Sequence, residues 1–173
     1  MSDLDLGGDR RRTDPIKGKK VNFRYLGNSV LPPAASVTSV AAVPFAEDGR
    51  IVCVELRDRG VDIPGGHVRE RETVLEDAVR REVLEEASIR LAEPKLVEVI
   101  ESDYYGSRKE DLTYMLTFAA YVSDFLPFER NEESTRRVLL TDDEFIDNYR
   151  ASEPEVMRRV IEHAKSVLGL TGE

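Results

Sequence analysis

Three glutamates, Glu82, Glu85 and Glu86, follow Arg81 in the run Arg-Glu-Val-Leu-Glu-Glu, fifteen residues after the turn Pro64-Gly65-Gly66. On a helix, positions i, i+3 and i+4 can converge on one point in space. Leu75, Val79 and Val83 recur at i+4 and predict the stripe that packs such a helix on a core. At roughly 100° per residue, Glu86 projects about 20° from the centre of that stripe, Glu82 about 60° and Glu85 about 120°. Acids of a solvated helix face lie opposite the apolar stripe, whereas these crowd its edge. Burying carboxylates is costly unless they are paired or bound to metal. Clustered oxygen donors suit Mg²⁺ or Mn²⁺, hard cations that also accept phosphate oxygens of a substrate. Arg81 points about 100° away from Glu82 and is placed to hold a neighbouring loop.

The elements that must position these acids can be read on either side. "VNFRYLG" alternates like a half-buried strand, and "SVTSVAAVPFAEDGRIVCVELRD" reads as a hairpin turning at "AEDG". Pro64 and the two glycines force an abrupt loop into a helix over residues 74–88. Thr73 and Glu76 stand three apart, which predicts a capping box with Thr73 as N-cap. "KLVEVIESDYY" and "LTYMLTFAAYVSDF" predict two further strands joined through "GSRKED", and "RRVLL" a short one followed by a helical turn after Thr141. The last helix is expected to be capped by Ser152 and stopped by Gly169. Strands, helix, strands, helix predicts a sheet with helices packed on it. Residues 1–20 read as a flexible basic arm and residues 21–173 as one domain.

Charge and composition narrow the class. With 34 acidic against 25 basic side chains the net charge is −9, which gives no general attraction for nucleic acid or an anionic membrane. A protein of this charge that handles phosphates must mask them locally, with cations at one site. No apolar run approaches the roughly 18 residues of a membrane span, and the polar start lacks the apolar centre of a signal peptide. The single cysteine, Cys53, excludes a disulfide framework and lies in an apolar strand as inert core. A cytoplasmic protein is the expectation.

The stretch from Gly66 to Ile89 resembles the Nudix hydrolase signature: Gly, five residues, Glu, seven residues, then Arg-Glu-apolar-any-Glu-Glu-any-Gly-apolar. Gly66, Glu72 and the run Arg81 to Ile89 carry it, over 24 residues. Eight residues instead of seven separate Glu72 from Arg81, and Ser88 stands in place of Gly. If the helix ends at Ser88 in a left-handed turn, Ser costs about 1 kcal/mol against Gly.

The resemblance implies an α/β/α sandwich with a mixed sheet, and a Mg²⁺- (or Mn²⁺-) dependent hydrolase. Its substrate class would be a nucleoside diphosphate linked to another group. Glu82 and Glu86 would ligate the metal with Glu85 as ligand or close partner, the Gly65 carbonyl would add a ligand, and Arg81 and Glu72 would brace the loop. In many members the base lies in a loop after the later strands; Glu129, Glu132 and Glu133 are the candidates, with Glu133 first. Tyr105 resembles a base-stacking residue of the dinucleoside polyphosphate branch, and Arg108 could reach a terminal phosphate. His67 reads as a loop residue. Residues 21–37 could pair two copies in a homodimer. The alternative expectation is a Nudix-fold nucleotide-binding or sensor module with little or no catalysis.

Overall fold

The computed structural model describes residues 10–13, 20–103 and 111–170. Its strands are β1 (Arg10–Thr13), β2 (Lys20–Tyr25), β3 (Val37–Phe45), β4 (Ile51–Leu56), β5 (Gly60–Asp62), β6 (Gly65–His67), β7 (Ile89–Leu91), β8 (Lys95–Ser102), β9 (Thr113–Phe125) and β10 (Ser134–Leu140). The helices are α1 (Leu75–Ala87), α2 (Asp142–Asn148) and α3 (Pro154–Leu168). The main sheet runs β1-β2-β8-β9-β3-β4-β10, with β5 beside β4, β6 beside β3 and β7 beside β9. It is mixed: β3 lies parallel to β9, and the other strand pairs are antiparallel.

Alternation along the central strands builds two cores, one per sheet face. Val40, Ala42, Val52, Val54, Leu116 and Phe118 meet Val79 and Val83 of α1. Val43, Phe45, Ile51 and Cys53 meet Phe145 of α2 and Val160, Ile161 and Ala164 of α3. The result is the expected α/β/α sandwich. Each buried Val, Leu or Ile contributes about 1.5–3 kcal/mol by leaving water, so α1 is fixed by the stripe Leu75, Val79 and Val83, all 4% exposed or less.

The hairpin at "AEDG" forms, with Gly49 at φ 86° in its turn. Two caps differ from expectation. Val74, not Thr73, is the N-cap of α1, and no side chain caps it. The additional residue is thus taken up before the helix, where Thr73 and a half-exposed Val74 precede the first turn. Glu153, not Ser152, stands at the N-cap position of α3, because Pro154 at the first helical position presets the start through its fixed φ, and no side chain caps it. A full capping box does form at α2, where Thr141 accepts from the Glu144 amide and Glu144 accepts from the Thr141 amide. Gly169 ends α3 in the left-handed region at φ 74°. Within the segment read as an arm, Arg10–Thr13 pairs antiparallel with residues 20–23 of β2. No helix among the described residues is long and apolar enough to cross a membrane.

Candidate active site

The three-residue strand β6 carries the Gly-Gly turn into contact with α1. Its register places Gly65 opposite Ala41 and Gly66 opposite Val40. A Cβ on Gly65 would lie 2.7 Å from the Ala41 Cα, and one on Gly66 would lie 2.6 Å from the carboxyl carbon of Glu82. Real Cβ atoms do not approach so closely, so backbone and carboxylate can meet only because both positions are glycine. The Gly65 N–H uses this closeness to donate to Glu86 Oε2 at 2.6 Å.

Exposure of the three acids follows their angle from the α1 stripe. Glu86 is 4% exposed, while the side chains of Glu82 and Glu85 are 13% and 49% exposed. Burial pushes the Glu86 carboxyl up to about 7, against the opposing pull of the Gly65 N–H. Nearby Glu133 and Glu82 push it the same way as burial, and Arg59 opposes them.

Arg81 organises the rest. Its Nε and Nη2 grip Glu72 as a two-pronged fork at 2.8 and 2.7 Å, and Nη2 also donates to the His67 carbonyl at 3.1 Å. Glu72 in turn accepts from the Arg69 N–H at 2.7 Å. Together, led by the Arg81 fork, these bonds hold its carboxyl down at about 2. The brace implied by the family pattern therefore exists across the longer spacing. Arg81 does more than hold a loop, however. Its Nη1 donates to Glu82 at 2.8 Å and to Glu85 at 3.1 Å, and Arg69 reaches Glu85 at 2.9 Å.

Consequently the three glutamates do not gather on one point. Among the described residues no three His, Cys, Asp or Glu side chains stand in a metal-holding arrangement. Helical geometry permits the convergence, but a guanidinium between Glu82 and Glu85 supplies the compensating charge instead.

A cavity of about 530 Å³ lies over these groups, lined by Gly66, His67, Arg69, Arg81, Glu82, Glu85, Glu86, Asn131, Glu132 and Glu133. Of the three base candidates, Glu132 and Glu133 line it and Glu129 does not; the Glu129 N–H instead donates to Ser88 Oγ at 3.2 Å. Tyr105 and Arg108 lie outside the described residues.

A second cavity, about 690 Å³, sits on the α3 side of the sheet and was not foreseen. Phe23, Tyr25, Ile100 and Met115 form one wall, Tyr149 to Glu153 and Val156 another, and Arg59 and Asp62 complete the lining. Arg59 Nε donates to Asp62 Oδ2 at 3.0 Å, and burial raises the Asp62 carboxyl. Only Asp62 carried a signal in the sequence, an acid two residues before the Pro-Gly-Gly turn. Asn131, in the polar loop "FERNEES", was likewise missed.

Similarity to known proteins agrees with this geometry. Residues 35–162 match the family model for the NUDIX domain. A MutT-like protein of Streptomyces ambofaciens is 41% identical over 76 residues, which cover 43% of this chain and 48% of that protein. The match thus spans about half the length of that curated relative. The Bacillus subtilis pyrophosphohydrolase BsRppH superposes with a TM-score of 0.68 at 19% identity, over 91% of this chain and 97% of that one. A NUDIX hydrolase from Nitrosomonas europaea superposes with a TM-score of 0.55 at 25% identity, over 79% of this chain and 97% of that one. Glycine turn, braced loop, acidic helix and a match over most of the length place the chain in the Nudix family.

Proposed function

We propose that the chain hydrolyses a phosphoanhydride bond in a nucleoside diphosphate linked to another group, with Mg²⁺ or Mn²⁺ bound at the carboxylate cavity. The observation that carries this reading is Glu86, a buried carboxylate held against Gly65 and facing the negative charge of Glu82 and Glu133. A helix whose stripe ends in a buried acid, beside other acids, spends stability on that site. Its offset comes naturally from a divalent cation.

The donors are of the right chemistry: carboxylate oxygens of Glu82, Glu85 and Glu86 line one cavity, hard cations prefer oxygen, and a bound cation would take over the charge compensation that Arg81 Nη1 gives Glu82 and Glu85. The Gly65 carbonyl belongs to the same proposal as a further donor. When bound, the ion would neutralise the diphosphate and lower the pKa of an attacking water. The protein's own groups do the rest. Arg81 fixes the loop through Nε and Nη2 and sets Glu82 and Glu85 through Nη1. Arg69, exposed at the rim, is placed to meet a phosphate oxygen. Glu133 takes the role of proton acceptor, with Glu132 beside it. The larger cavity, with its aromatic wall and the Asp62 carboxylate, is the place for the group attached to the diphosphate.

The deciding experiment is phosphate and pyrophosphate release in millimolar Mg²⁺ across nucleoside triphosphates, dinucleoside polyphosphates, ADP-ribose and nucleotide sugars, with Glu86→Gln alongside. Turnover lost in the variant, with the fold retained, supports the hydrolase. A second reading is favoured by Arg81 bonding both Glu82 and Glu85: a nucleotide-binding or sensor module with little chemistry. That reading requires no turnover on any substrate and equal nucleotide affinity in both proteins. Pairing of two copies through residues 21–37, where Val30 and Leu31 are exposed, belongs to the same proposal and is checked by light scattering. A cytoplasmic location completes it.

A further inference from the structure

The last turn of α1 carries Glu85 and Glu86, and its final carbonyls have no partner within the helix. A segment 46 to 50 residues further along the chain satisfies all of them. Asn131 Nδ2 donates to the Glu85 carbonyl at 3.1 Å, and Ser134 Oγ to the Glu86 carbonyl at 2.8 Å. Arg137 Nη1 donates to the carbonyls of Ala87 and Ser88 at 3.0 Å and of Leu126 at 2.9 Å. The Leu126 N–H closes the set on the Ser88 carbonyl at 3.0 Å.

Arg137 is a cation at the negative end of a helix, a favourable placement. Its guanidinium lies 5.3 Å from the Phe125 ring centroid and 5.9 Å from that of Phe128. Among the described residues no carboxylate forms an ion pair with it. Its partners are backbone carbonyls, so its work is mechanical: it fixes the helix end to the strand leading into the Glu129–Glu133 loop.

Asn131 joins the two halves of the site. Its Oδ1 accepts from the amides of Glu133 and Ser134, both at 2.8 Å, while its Nδ2 reaches the Glu85 carbonyl and, at 2.8 Å, Ser134 Oγ. One planar amide therefore ties the backbone of Glu85 to the backbone of Glu133, and both residues line the same cavity. A side-chain amide supplies both the two N–H donors and the acceptor oxygen that this set of bonds needs.

We propose that Asn131 is a positioning residue that sets Glu132 and Glu133 against the carboxylates of α1, on a helix end locked by Ser134 and Arg137. The consequence for turnover rests on the hydrolase reading; the tie between the two backbones does not.

Two variants and two readouts test it. In metal-free protein, Asn131→Ala should strip hydrogen-exchange protection from the Glu133 and Ser134 amides and leave the β3 and β9 amides unchanged. Asn131→Asp keeps the acceptor, so both amides should stay protected while the bond to the Glu85 carbonyl is lost. In the active protein both variants should lower kcat about tenfold to a hundredfold, as expected for a displacement of about 1 Å, with KM within about twofold. Unchanged exchange at Glu133 and Ser134 in Asn131→Ala overturns the proposal, as does a uniform loss of protection throughout the sheet. Lost protection with unchanged kcat overturns the positioning role. If the unaltered protein turns over nothing, the hydrolase reading fails, and the exchange result alone still decides whether the tie exists.

Discussion

Gly66 and Glu82 share one space: the position a Cβ would take on the glycine lies 2.6 Å from the carboxyl carbon of the glutamate. The glutamate can swing aside, whereas Gly65 faces backbone atoms of Val40 and Ala41 that cannot. Gly66→Ala should therefore cost little stability, about 1 kcal/mol, but displace Glu82 and depress turnover strongly. Gly65→Ala should cost more, about 2–3 kcal/mol, because β6 must leave β3. Thermal unfolding of the two variants beside steady-state rates separates these effects; equal losses in both would contradict the geometry.

The Arg81 fork on Glu72 needs a planar guanidinium with parallel donors. Arg81→Lys should keep the charge but lose the two-pronged contact and the bridge to Glu82 and Glu85. A loss of about 1–3 kcal/mol is expected in denaturant titrations. Lysine equal to arginine would show that charge alone suffices.

Two acids respond to pH with opposite sign. Glu72 is held at about 2 against an ordinary 4.5, so its stabilisation is fully present above 4.5 and vanishes as pH falls toward 2. The stability gap between the unaltered protein and Glu72→Gln should be steady near neutrality and close across that window. A gap of constant size down to pH 2 would be the contrary result.

Glu86 is raised from 4.5 to about 7, so the metal-free folded protein retains a proton that the unfolded chain has released. Its stability should fall as pH rises from 4.5 through 7. Glu86→Gln should flatten that decline and, with chelator at pH 8, raise stability by about 3 kcal/mol. Adding millimolar Mg²⁺ should then raise the melting temperature of the unaltered protein and leave that of the variant in place. Calorimetry with and without chelator reads both effects.

Ser88 closes α1 at φ 54° and ψ 46°, and among the described residues it is the one non-glycine with positive φ. The cost anticipated for serine at this position is therefore incurred. Part of it is offset by Ser88 Oγ accepting from the Glu129 N–H. Replacing it with Ala loses that bond and keeps the strain, whereas Gly loses the bond and relieves the strain. Ser88→Gly should exceed Ser88→Ala by about 1 kcal/mol in chemical denaturation.

Legibility in the sequence depended on range. The Leu75–Val79–Val83 stripe is a local pattern, and the burial order Glu86, Glu82, Glu85 follows from helical angle alone. The strand β6 was invisible because Gly-Gly-His has no side-chain alternation; pairing with β3 makes it a strand. Thr73 carried a capping pattern, yet the longer connection starts the helix one residue later. Glu72 holds Arg81 across that connection, a contact made in space that residue counting does not reveal. Asn131, Ser134 and Arg137 bond backbone carbonyls about fifty residues away, and such acceptors leave no mark on sequence.

Cys53, the only cysteine in the chain, is wholly covered between α2, α3 and the sheet, and burial raises its thiol pKa far above the ordinary value, which keeps it protonated and unreactive. It is therefore a built-in clock for opening of the central sheet. A thiol reagent reaches it only at the rate at which β4 comes away from its neighbours. A second cysteine engineered on the surface would take a probe alone, with no need to remove the native one.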